Sequence, residues 1–267
     1  MQEEIKQPKF FGRRKGRVIR KTKSTLLEQF LPKIKIDENT CFDRKTMFGK
    51  EVEKINLEIG FGDGVHLAGQ ALNNPTIGFI GIEVFKNGVA NLLTLITGVK
   101  QGADLPQNIE ILDNREDNIR VFDDDARLLF SKIPDGFVDR VFLLFPDPWP
   151  KKRHAKRRLT YVSFLEKYKT IIKDGGKIFF KTDNRPLFDF SLEQFELAHI
   201  PLSDVTFDLH NSEYEKDNVH TEYEDNFSAK GFSINRLVGT IDKSFVKEES
   251  AEETSTEVKS AEEQDIS

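Results

Sequence analysis

The stretch LEIGFGDGVH, residues 57–66, decides how the rest of the chain is read. An apolar run, Ile55–Gly60, leads into it, and a helical pattern, Val65–Ala71, leads out. Gly60, Gly62 and Gly64 therefore fall in a strand-to-helix turn, where glycine permits positive φ and lets the backbone approach a ligand closely. The spacing is G-x-G-x-G, and Val65 stands where a dinucleotide-binding fingerprint places its third glycine. Glu58 and Asp63 add negative charge, which repels a phosphate but suits a cationic nucleoside. The plain alternative is a tight turn with no ligand.

On either side of this turn, apolar runs alternate with helical patterns. The sequence predicts strands at Ile55–Gly60, Ile77–Ile82, Ile119–Phe122, Val138–Phe145 and Lys177–Thr182. Their nearly continuous apolar character suits a sheet covered on both faces. Helices are predicted at Val65–Ala71, Phe85–Val99, Ala126–Lys132, Thr160–Ile172 and Pro186–Ala198, with KDGGK at 173–177 stopping one helix and starting the next strand. Such alternation predicts an α/β parallel sheet with right-handed crossovers. Val205–Leu209 and Ser233–Ile241 are candidate late strands, and the segment 101–117 reads as an insertion.

With 267 residues, 32% of them charged, the chain suits one large domain with tails. Residues 1–24 carry nine Lys/Arg against two Glu, a net of +7, and read as a mobile basic arm running into a short helix near Leu26–Leu31. Residues 242–267 carry nine Asp/Glu against three Lys, a net of −6, so residues 1–241 hold +1 of the chain's total of −5. From residue 246 on, the chain is too poor in large apolar groups to offset the entropy of ordering, and 246–267 reads as an acidic disordered tail. The domain between them spans 25–245. A single cysteine, Cys41, rules out an internal disulfide and fits a reducing compartment. With no apolar stretch of membrane-spanning length and no signal-peptide pattern, the expectation is a cytoplasmic protein.

Acidic residues cluster at the predicted carboxyl ends of the strands, where open α/β sheets bind ligands. Glu83 in GIEVF sits where an acid reaches the ribose hydroxyls of an adenosine, a feature shared by nicotinamide and S-adenosylmethionine sites. Asp125 in FDDDARLLF is placed either to meet an adenine edge or to cap the next helix. Asp147 lies between Pro146 and Pro148, whose fixed φ aims it, and Trp149 beside it offers a face for stacking or a side chain for the core. Lys151, Lys152, Arg153, Lys156, Arg157 and Arg158 follow, a cluster suited to phosphates or to a solvated face; RRKGR at 13–17 favours a nucleic-acid partner. Asp183 in KTDN, and Glu222 and Glu224 in HTEYEDNF, bring further carboxylates to the same edge. His154 and His220 have no metal-ligand spacing, and no Ser/His/Asp arrangement is readable.

Taken in order, RRKGR, LEIGFG, GIEVF, DDDA, LFPDPWPKKRHAKRRL, KTDN and TEYE resemble the bacterial tRNA (guanine-N7)-methyltransferase family, over roughly residues 10–240. The resemblance implies a class I (Rossmann-like) methyltransferase fold: a mostly parallel seven-stranded sheet with helices on both faces. It implies S-adenosylmethionine as methyl donor and a variable-loop guanine of tRNA, typically at position 46, as acceptor. By matching position, Glu58, Gly60, Gly62, Glu83, Asp125 and Asp147 are the expected cofactor-binding residues, with Asp147 also catalytic. Lys151, Asp183, Thr221, Glu222, Tyr223 and Glu224 are the expected substrate-binding residues. The insertion before the third strand leaves Asp124 and Asn118 as alternatives to Asp125. The resemblance implies no metal, membrane or obligate protein partner. A methyltransferase for another RNA or a small molecule would not need both basic patches. A non-catalytic RNA-binding protein would have no use for acids around a glycine loop.

Overall fold

A computed structural model describes residues 16, 18–99 and 117–244. Most of the predicted arm, the insertion as far as residue 116 and the acidic tail lie outside the described residues. Three short helices lead in: α1 (Lys21–Gln29), α2 (Leu31–Ile34) and α3 (Arg44–Phe48). The alternating part runs β1 (Lys54–Ile59), α4 (Val65–Asn73), β2 (Ile77–Ile82), α5 (Lys86–Thr97), β3 (Ile119–Phe122) and α6 (Ala126–Phe130). It continues through β4 (Val138–Leu144), α7 (Val162–Ile171), β5 (Ile172–Thr182) and α8 (Arg185–Leu197). Last come β6 (Leu202–Thr206), α9 (Glu222–Ser228) and β7 (Asn235–Thr240).

The seven strands form one sheet in the order β3-β2-β1-β4-β5-β7-β6. β1 to β5 are parallel, and β7 runs antiparallel to both β5 and β6. After β3 the chain returns to the other side of β1, so the crevice at the carboxyl ends of β1 and β4 is the topological switch point. Parity along β2 shows how the core divides. Phe79 packs with Leu67, Leu92 and Leu93 from α4 and α5, whereas Ile80 and Ile82 join the cluster that holds Leu129 and Phe130 of α6. Both faces of the strand are therefore covered, and each such side chain contributes about 1.5–3 kcal/mol relative to exposure.

Four features differ from the sequence reading. The short helix starts inside the stretch that reads as a mobile arm: α1 begins at Lys21, Thr22 is buried, and Lys23 Nζ donates to Asn91 Oδ1 of α5 at 3.0 Å. KDGGK does not separate helix from strand, because β5 follows α7 directly and absorbs Gly175, at φ +70°, where the pairing with β4 shifts register. The sixth strand lies at Leu202–Thr206 rather than 205–209; it is an edge strand of alternating half-exposure, without the apolar run that marks buried strands. Finally, α3 and α9 lie where the sequence reading places no helix. Among the described residues, no helix is long and apolar enough to cross a membrane.

Candidate active site

All three glycines of the β1–α4 turn adopt the left-handed backbone, with φ of 76°, 58° and 79° at Gly60, Gly62 and Gly64. No heavy atom lies within 4 Å of where a Cβ on Gly60 or Gly62 would sit, so the turn offers an open backbone floor. Glu83, just past β2, holds that floor. One carboxylate oxygen accepts from the Gly62 amide at 2.9 Å and the other from the Phe85 amide at 2.8 Å. A Cβ on Gly88 of α5 would lie 2.0 Å from the Gly62 carbonyl oxygen, so only glycine allows this approach. Burial raises the Glu83 pKa against those amide bonds, and the nearby Asp147 charge adds to the rise. A carboxylate has about four acceptor positions, so Glu83 keeps capacity for a ligand beside its backbone partners.

The turn opens onto a cleft of about 910 Å³, bounded by Gly60, Glu83, Asp125, Asp147 and Trp149 and reaching past Phe164 of α7. Asp125 lines it while also capping α6. Its Oδ1 accepts from the Arg127 amide at 3.0 Å, and its two oxygens take the Arg127 Nε and Nη2 at 2.9 and 2.5 Å. Asp124, the neighbouring alternative, accepts from the Asp125 amide at 2.8 Å. Asn118 is ruled out by position: it sits before β3, at the far edge of the sheet, and donates to the Ala71, Asn74 and Ile77 carbonyls. Glu58 also departs from expectation. Its neighbour Ile59 lines the cleft, whereas the Glu58 carboxylate is buried 2.8 Å from His66 Nδ1 on the opposite face.

Beyond β4 the backbone is strained around the exposed Asp147. Phe145 and Trp149 have φ of 50° and 43°, values rare for large side chains. The basic run that follows is a 3₁₀ turn, Lys152–Arg157. Lys151, Lys152, Arg153 and Lys156 are exposed on it. The last arginines turn inward instead: the Arg157 guanidinium lies 5.0 Å from the centre of the Trp149 ring, and Arg158 bonds the carbonyls of Pro148 and Trp149. Trp149 itself is half-buried, edge-on to His154 at 5.8 Å, and stands outside both core clusters.

At the end of β5, the half-buried Asp183 lies near Tyr223, whose ring is 4.8 Å from that of Phe145. Burial raises the Tyr223 pKa, and the Asp183 and Asp147 charges add to it. Tyr223 thus stands in the field of both carboxylates. The rest of TEYE does something else. Thr221 caps α9, accepting from the Glu224 amide at 3.0 Å, and Glu224 is wholly buried. The Glu224 carboxylate lies 2.5 Å from Lys181 Nζ and accepts from Asn218 Nδ2 at 2.7 Å, out of reach of a substrate. Lys181 also donates to Asn218 Oδ1 and the Val219 carbonyl, each at 3.0 Å, and burial lowers its pKa, an effect Glu224 opposes. The Glu222 side chain lies outside the described residues. T-x-x-E is a helix-start signal in its own right, and it marks α9 in the sequence.

Behind α9, the two ring nitrogens of His220 lie 2.7 Å from the carboxylates of Asp225 and Glu215. His210 meets Glu215 at 3.2 Å and the Ser228 hydroxyl at 2.7 Å. These two histidines and Glu224 bring ligand-type atoms within 4.8 Å of one another, a convergence that spacing along the chain does not reveal. All four ring nitrogens already have protein partners.

Known proteins resemble both the sequence and this architecture. A family described as putative methyltransferase matches residues 52–237. A tRNA (guanine-N(7)-)-methyltransferase of Bacillus subtilis strain 168 is 44% identical over 191 residues, covering 72% of this chain and 82% of that protein. The chain belongs to the bacterial tRNA (guanine-N7)-methyltransferase family. A Listeria monocytogenes member is 42% identical over 197 residues, covering 74% of this chain and 84% of its own length. Among solved structures, an antibiotic-related methyltransferase superposes with a TM-score of 0.51 at 15% identity, over 77% of this chain and 95% of that one. A 16S rRNA methyltransferase superposes at 0.51 with 16% identity, over 72% and 89%. At such identities the likeness concerns the Rossmann-like methyltransferase fold alone, the class expected from the motifs.

Proposed function

We propose that this member of the family transfers a methyl group from S-adenosylmethionine to N7 of a guanine in tRNA, the variable-loop guanine at position 46. One observation carries the reading: Asp147 lines a cleft that reaches Gly60 of the glycine turn, and Tyr223, packed on the cleft-lining Phe145, lies within reach of the charges of both Asp147 and Asp183. The residues fit the donor, since the floor is open backbone and the walls carry carboxylates suited to a cation. Gly60 and Gly62, Glu83, Asp125 and Asp147 would hold it. Bound there, S-adenosylmethionine supplies an electrophilic methyl on a sulfonium.

Guanine N7 already carries an in-plane lone pair, so no residue has to remove a proton before attack. The protein contributes positioning and electrostatics. Asp147 and the Asp183–Tyr223 pair fix the purine edge and stabilise the positive charge that develops on it. The base has to leave its stack to reach the cleft. Lys151 and the exposed cations of the 3₁₀ turn, with the basic arm, hold the sugar–phosphate backbone. Incubating the protein with labelled S-adenosylmethionine and unmodified tRNA, then mapping the label, tests the reading. Methyl on N7 of the variable-loop guanine is expected; transfer to another atom, or none, would overturn it.

A further inference from the structure

Arg158 belongs to the basic run that reads as phosphate-binding, yet its guanidinium faces the protein. Nε donates to the Pro148 carbonyl at 2.9 Å and Nη2 to the Trp149 carbonyl at 3.1 Å, the two carbonyls directly after Asp147. The flat side of the same group lies 4.2 Å from the ring centre of Phe190. Phe190 belongs to α8, which begins two residues after Asp183. One cation therefore spans the two segments that present Asp147 and Asp183.

We infer that Arg158 is a positioning residue, which sets Asp147 and Trp149 for methyl transfer, and not a contact to tRNA phosphate. The loop needs such a clamp. Pro146, Pro148 and Pro150 lack amide hydrogens, so the Asp147 loop has few donors with which to anchor itself. The positive φ at Phe145 and Trp149 persists only where the surroundings over-determine it. A guanidinium fork spans two successive carbonyls and stacks on an aromatic face at once, whereas a lysine ammonium does neither with the same geometry.

The kinetic part of this inference rests on the proposed methyl transfer, but a second readout does not. Trp149 is the chain's only tryptophan, so intrinsic emission reports this loop directly. In Arg158→Lys and Arg158→Met, kcat at saturating tRNA and S-adenosylmethionine should fall about 10²-fold, as expected when a reacting geometry slips by an ångström. Trp149 emission should shift red and acrylamide quenching rise, with the far-UV circular dichroism unchanged. The tRNA Kd and its salt slope should stay at wild-type values, whereas Arg153→Ala, an exposed cation of the same turn, should lower the slope by about one. Phe190→Leu removes the aromatic face under Arg158, and its ring contact with Tyr161, while keeping an apolar side chain against the core; should Arg158→Met fail to fold, it is expected to give the same emission shift with a smaller loss of kcat.

Wild-type kcat and emission in Arg158→Lys would overturn the inference. So would a salt slope lowered by about one in either Arg158 variant with kcat intact. If the wild-type protein transfers no methyl to tRNA, the proposed function fails while the emission measurements still decide the clamp.

Discussion

Between Gly60 and Glu83 the cleft is held by main chain: a carboxylate accepts two amide bonds, and Gly88 lets α5 touch the glycine turn. Between Asp147 and Tyr223 it is held by side-chain cations. Arg158 ties down the Asp147 loop, and Lys181, two residues before Asp183, grips Glu224, next to Tyr223. The first half joins residues 21 apart in sequence and the second joins residues 43 apart. The donor side is thus a preformed backbone cradle, whereas the acceptor side depends on buried charge staying paired.

The largest expected effect breaks the acceptor side. Lys181→Met leaves Glu224 buried without its cation and should cost about 3–5 kcal/mol in urea unfolding, while Lys181→Met/Glu224→Leu should recover most of it. A loss near zero in the single variant would mean that the pair does not hold α9. Asp147→Ala should lower kcat about 10²–10³-fold, the usual consequence of removing one preorganised electrostatic group. Near-normal turnover at saturating substrates would remove Asp147 from catalysis.

On the donor side, Glu83→Gln keeps the shape but loses the charge behind two amide bonds. Charge-assisted bonds contribute about 1.5–3 kcal/mol, so calorimetry should show S-adenosylmethionine binding weakened by about 10–100-fold. Unfolding free energy should move less than in Lys181→Met, and the opposite ranking would reverse the contrast between the halves.

The smallest effect concerns pH. His220 donates from both nitrogens only as imidazolium, so Asp225 first, then Glu215, raise its pKa in the folded chain. The stability it lends is complete below the unfolded value of about 6.5 and is lost as pH climbs through the higher folded value. After correction for intrinsic exchange, amide protection in residues 209–225 should fall as pH rises above the unfolded value of about 6.5. His220→Gln should abolish that dependence, and a pH-independent wild type would show that His220 does not titrate there.

How legible a region was depended on how it is buried. β1 and β2 are buried on both faces over five of their six residues, and such strands announce themselves as apolar runs. The edge strand β6 is only half covered, so no apolar run fixes its position. The Gly175 bulge looked like a helix stop because glycine serves both purposes. TEYE matches four expected substrate contacts, although its Thr221–Glu224 spacing also spells a helix start. Only Tyr223 of that set is seen facing the mouth of the cleft.

By itself the sequence determined the order and period of the elements, the glycine turn, and the acidic and basic chemistry gathered at one edge of the sheet. These depend on local steric and hydrophobic preferences, which each segment carries with it. Tertiary structure alone decided which charges face a ligand. Glu58 and Ile59 are adjacent in sequence, yet pleating sends them to opposite faces, one to His66 and one to the cleft. Arg158 and Lys181 carry the same charge as Lys151, yet half-buried Arg158 turns to two carbonyls of the Asp147 loop and buried Lys181 to Glu224, 43 residues away. A buried charge must be paired, and the chain chooses its partner only when it folds.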